Sequence, residues 1–156
     1  MIKYLTFGIS ISIISWIVGM ILNSILVKTE HYNKISNLNF AEGRTLNKSI
    51  GIEYFKWIVT NTFFKFFNQK IKLENKKTDL TEVRREMTIA EISHLIGFIF
   101  VTFVAIYKTI DSNYVFGITI MVVNILMNLY PSLLQQENKR RIDKLIERQA
   151  KAVSQI

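Results

Sequence analysis

Three apolar runs organise this chain. No charge falls between Tyr4 and Val27 or between Tyr114 and Leu134, and from Ile92 to Ile106 only His94 can titrate. A hydrocarbon core ~30 Å thick needs about 20 helical residues to cross it. The first and third runs meet that length, and the second does so if its helix begins in the polar stretch near Arg85. The pattern predicts an all-α integral membrane protein, a single membrane domain over 1–156 with spans near 4–27, 87–109 and 114–135.

Shorter elements follow from the same pattern. From Ile50 to Phe67, Tyr54, Phe55, Trp57, Phe63, Phe64, Phe66 and Phe67 alternate with Glu53, Lys56 and Lys65. Aromatic rings beside lysines suit the headgroup boundary, so an amphipathic helix lying in the membrane plane is expected over 50–67. A lysine-rich linker follows from Asn68, and Asp79 or Thr81 can cap the helix that leads into the second span. Asp111-Ser112-Asn113 is a turn, which makes spans two and three an antiparallel hairpin. The tail, 136–156, reads as a basic helical continuation of the third span, frayed at its end.

Composition sharpens this picture in three ways. Of 156 residues, 49% are hydrophobic, and the mean hydropathy of +0.22 is high for a soluble domain. The first run exceeds the roughly 7–15 apolar residues of a signal-peptide core, and no Ala-x-Ala-like site follows it, so a retained anchor is expected. There is no cysteine, which excludes disulfides, thiolate metal sites and a cysteine nucleophile.

The net charge of +8 is placed asymmetrically: basic residues crowd the loop between spans one and two and the tail. The positive-inside rule puts both regions in the cytoplasm and the N-terminus outside, in a multi-pass cell-membrane protein. Topology accounts for the basic charge, and no nucleic-acid partner is expected.

Polar residues at the ends of spans two and three are the candidate chemistry, because such groups cost free energy at membrane depth. Glu86, Glu91 and His94 fall on one helical face, with Glu91 and His94 an i,i+3 pair. A carboxylate beside an imidazole can fix its tautomer and raise its basicity, as a general base requires. The alternative is a helix end solvated by headgroups. One histidine and two carboxylates on one helix do not make a metal site, so none is expected. Asn124, Asn128 and Gln135 stack on one stripe of span three, either to hold a polar substrate or to bond another helix. Pro131 in the same run leaves the Met127 carbonyl without its usual donor. Arg140, Arg141 and the later lysines can hold phosphates or anchor the topology.

These residues resemble the small membrane glycosyl-diaponeurosporenoate acyltransferases of the staphyloxanthin carotenoid pathway. The family's Glu-Thr-x-Arg-Ala-Glu-x-x-His stretch corresponds to Glu86-Met87-Thr88-Ile89-Ala90-Glu91-Ile92-Ser93-His94. Its later Asn, Gln and basic end correspond to Asn128, Gln135, Asn138 and Arg141 at matching spacing. Ile89 stands where the family has arginine, and Gln136-Glu137 where it has Arg-Tyr. The resemblance implies a site of Glu86, Glu91, His94, Asn128, Gln135, Asn138 and Arg141, to which the polar stripe adds Asn124.

The expected function is O-acyl transfer at the cytoplasmic face, from an acyl thioester co-substrate to a sugar hydroxyl of a lipid-linked glycosylated acceptor. No bound cofactor is expected. In this scheme His94 takes the hydroxyl proton and Glu91 orients it, while the amides and Arg141 hold the substrates. Two other readings use the same features: a lipid reductase or methyltransferase, and a non-catalytic scaffold whose polar stripe is a helix interface. Membrane lipids are the surroundings, and the small enclosed volume of three spans makes a homodimer a further expectation.

Overall fold

The structure, a computed structural model, describes residues 1–38, 51–61 and 79–154, and these hold helices and short turns with no strand. In chain order the helices are α1 (Ile2–Leu26), α2 (Tyr32–Ile35), α3 (Ile52–Asn61), α4 (Leu80–Asp111), α5 (Tyr114–Asn124) and α6 (Tyr130–Val153). A π-helical turn, Ile125–Leu129, joins α5 to α6. Three stretches are long and apolar enough to cross a membrane: α1, α4 and the continuous run Tyr114–Ala152. They match the three predicted spans, with the second beginning earlier and the third running on through the basic tail.

Contacts divide the chain into two compact units, Met1–Leu38 with Ile89–Ser132 and Asn39–Thr88 with Leu133–Ile156. In the first unit α1 is inverted relative to a helix of a soluble protein. Ile9, Ile13, Ile17, Met20, Ile21 and Ile25 are exposed, whereas its buried residues are Gly8, Ser12, Ser15, Gly19 and Asn23. Water would penalise that outward face, and hydrocarbon does not. Between helices in lipid, close packing and polar contacts replace the hydrophobic drive, so small residues belong on the inner face.

Gly19 shows how close that packing is. A Cβ there would run into the carbonyl oxygen of Ser93 on α4. Asn23, one turn on, donates from Nδ2 to the Ile89 carbonyl at 2.9 Å and to Ser93 Oγ at 3.0 Å. At the other end of α1, Tyr4 stacks on Phe116 with ring centroids 4.3 Å apart. Its hydroxyl accepts from Asn113 Nδ2 at 3.2 Å. Asn113 also caps α5, its Oδ1 accepting from the Phe116 amide at 3.0 Å, which makes the predicted turn a defined N-cap. Between these ends, Val101, Ala105 and Ile120 form an apolar core packed by Phe7, Ile11 and Phe100.

The second unit is built from α3, the first turns of α4 and most of α6. Asp79, one of the two predicted caps, accepts from the Thr81 amide at 2.9 Å and starts α4. Leu80, Met87 and Ile142 form its core with Val83, Leu145 and Ile146 around them, and Arg84 pairs with Asp143. Helix α3 lies within the segment expected to lie in the membrane plane. The remainder of that segment, 62–67, and most of the lysine-rich linker fall outside the described residues.

Gly19 sets a test of this packing. Gly19→Val should lower the thermal midpoint of the detergent-solubilised protein by several degrees, while Ile17→Val on the exposed face of the same helix should leave it within about a degree, reflecting the small effect of surface substitutions.

Candidate functional site

Pro131 shapes the local structure around the polar stripe. Having no N–H, it cannot bond the carbonyl four residues back, and an unsatisfied carbonyl in hydrocarbon costs several kcal/mol. The chain answers in two ways. The helix widens into the π turn, where the Tyr130 amide bonds to the Ile125 carbonyl. The Met127 carbonyl accepts from Trp16 Nε1 on α1 at 3.2 Å. Such π turns occur disproportionately at functional sites, and this one carries Asn128, which is fully buried.

Asn128 is the hub of the polar cluster. Its Nδ2 donates to Ser15 Oγ at 3.1 Å and to Asn124 Oδ1 at 2.9 Å. Asn124 in turn donates to the Phe98 carbonyl at 2.9 Å and to Thr102 Oγ1 at 3.2 Å. The cluster therefore ties α1, α4 and the end of α5 together. Gly97 leaves space for it, since a Cβ there would come within 3.0 Å of Asn128 Oδ1 and 3.1 Å of Ser15 Oγ. Asn124 uses both ends of its amide within the chain, and Asn128 both bonds other helices and faces the imidazole.

His94 stands beside this hub. Its imidazole lies beside the side chain of Asn128. The Trp16 ring packs edge-on against it, with centroids 6.1 Å apart and planes at 87°. Its Nδ1 is buried and makes no hydrogen bond within the described chain. One ring nitrogen therefore keeps its hydrogen-bonding capacity unused among the described residues. Glu91, one turn earlier on α4, is fully buried.

The other sequence-predicted residues belong to the second unit. Glu86 is exposed, and Gln135 and Asn138 are half-buried. Arg141 has 59% of its side chain exposed and pairs with Glu137, whose carboxylate also lies 3.9 Å from Lys56 Nζ. Glu137 is one of the three positions at which this chain departs from the family pattern, so the departure supplies the partner of Arg141. Reading the sequence missed Gln136 and Lys139, both buried on the inner face of α6. Their spacing with Leu133 and Ile142, three residues at each step, is the signal that could have found them. It missed Ser15 and Trp16 as well, whose partners are more than a hundred residues away.

The fold and the site define a helical membrane protein with a histidine and amide cluster set among spans whose outer faces are apolar. The family comparison gives it a place: the chain belongs to the glycosyl-4,4'-diaponeurosporenoate acyltransferase family, whose model matches residues 28–148. It is therefore an acyltransferase of carotenoid biosynthesis by family. No curated protein and no solved structure matches it.

The amide hub and the Arg141 pair should differ in worth. Asn128→Ala should cost about 1–2 kcal/mol, the scale of interhelical hydrogen bonds in model membranes. Glu137→Gln, which weakens a half-exposed ion pair, should cost less than about 1 kcal/mol. Reversible unfolding in mixed micelles measures both.

Proposed function

We propose that the chain moves a fatty acyl group from a thioester donor to a sugar hydroxyl of a lipid-linked glycosylated acceptor, a carotenoid glycoside or a glycolipid of that kind. The observation that carries this reading is the His94 imidazole, set beside Asn128 with a buried Nδ1 that bonds to none of the described residues. A sugar hydroxyl is a weak nucleophile and needs a base at the moment of attack.

The unbonded ring nitrogen accepts the hydroxyl proton as the oxygen attacks the thioester carbonyl. The tetrahedral intermediate collapses, the carbon–sulfur bond breaks, and the imidazolium returns the proton to the leaving thiolate. The products are a sugar ester and a free thiol, and the chain is unchanged. Asn128 holds the ring, and buried Glu91 orients it and favours its transient positive charge. Much of the rate comes from placing donor and acceptor together away from water. Roles for Glu86, Gln135, Asn138 and Arg141 in gripping donor or acceptor rest on the family pattern alone.

The distribution of Lys and Arg supports an orientation with the N-terminus outside and the long loop and tail in the cytoplasm, where thioester donors are available. The acyl tails of both substrates would lie among the lipid-facing side chains. Membranes containing the chain should therefore accumulate an ester of a glycosylated lipid, detectable by mass spectrometry of lipid extracts. His94→Ala should abolish that ester while the protein still inserts and elutes as a folded species. A His94→Ala variant that keeps making it would refute the role of the imidazole.

A further inference from the structure

The family model begins at residue 28, after α1 has ended, yet two consecutive residues of α1 reach the histidine and its amide. Trp16 donates its indole N–H to the Met127 carbonyl at 3.2 Å, and its ring stands edge-on to His94. Ser15 accepts from Asn128 at 3.1 Å. We infer that Trp16, supported by Ser15, is a positioning residue for His94, so that the first helix is part of the active site and not merely its anchor.

An imidazole with one polar side chain beside it can still swing about its outer torsion, which is broad for histidine. The edge of a large ring on the neighbouring side removes that freedom, and edge-to-face packing is a favoured aromatic geometry. The same indole also holds the π turn: its N–H satisfies the carbonyl that Pro131 leaves without a donor. Asn128 sits in that turn, so Trp16 fixes His94 directly and also the backbone that aims the amide at it. Phenylalanine could supply the ring edge but not the N–H, and no aliphatic side chain supplies both. Two turns along α1, Asn23 is bonded to the backbone of α4. The helix therefore has an attachment to α4 that does not involve Trp16.

This inference rests on the acyl-transfer reading for its kinetic consequence, and on geometry alone for its structural one. The test uses the full chain in lipid nanodiscs. With Trp57→Phe, Trp16 is the one tryptophan that remains. In a deuterated sample protonated only at Trp and His, an NOE between the indole and the His94 ring is expected, and its absence overturns the inference. Trp16→Ala should lower kcat per folded molecule about a hundredfold and Trp16→Phe about tenfold, with KM within twofold, the scale of a misplaced catalytic group. Trp57→Phe should leave both constants unchanged. An observed NOE with unaltered kcat in Trp16→Ala also overturns the inference. A wild-type chain inactive with every thioester donor would sink the acyl-transfer reading instead. The NOE would then still decide whether Trp16 holds His94.

Discussion

An amide buried in a hydrocarbon phase has no water to turn to, and the arrangement of this protein follows from how Asn128 meets that constraint. Its two N–H groups go to Ser15 and Asn124, and its side chain faces His94. Each of these bonds reaches a different part of the first unit: α1, the preceding turn of the same helix, and α4. Satisfying one buried amide therefore fixes the relative placement of three apolar helices that lipid alone would not order. The same bonds bring a histidine to the only kind of environment where its base chemistry is useful, close to polar partners and shielded from bulk solvent.

Pro131 and Trp16 belong to this solution. A proline four residues after Met127 would expose a carbonyl to the bilayer, and the indole N–H of Trp16 takes that carbonyl. The π turn that accompanies it gives Asn128 a backbone geometry a regular helix would not. A break in helical bonding has thus become the place where two spans are cross-linked. The small residues of α1 make this possible, since Gly19 lets its backbone approach Ser93. Gly97 on α4 clears space for Ser15 and Asn128.

Much of this was legible in the sequence, and the parts that were not share a physical reason. The three spans follow from run length against bilayer thickness, and the Asp79 cap and the Asn113 turn follow from local chemistry. The proximity of His94 to the amides could be read as an expectation from their helical spacing and the hairpin. The lone carbonyl of Met127 could be foreseen from Pro131, but its donor could not. Trp16 lies on α1, and no local rule pairs residues so distant in sequence. The stripe of Gly8, Ser12, Ser15, Gly19 and Asn23 has helical spacing, but Thr6, Ser10 and Ser24 lie exposed on the same helix, so small polar residues alone do not mark which face turns inward. The pairing of Arg141 with Glu137 was not legible either, because a basic residue looks the same in sequence whether or not an acid one turn away bonds to it.

The most direct measurement is a double-mutant cycle on unfolding free energy between Ser15→Ala and Asn128→Ala. If the first helix completes the polar cluster, the two losses should be less than additive, with a coupling of about 0.6 kcal/mol, the average for interhelical hydrogen bonds in a membrane protein, and at most about 1.7 kcal/mol. Strict additivity would mean that α1 and the π turn are independent, and the account of a histidine site held together by that bond would be contradicted.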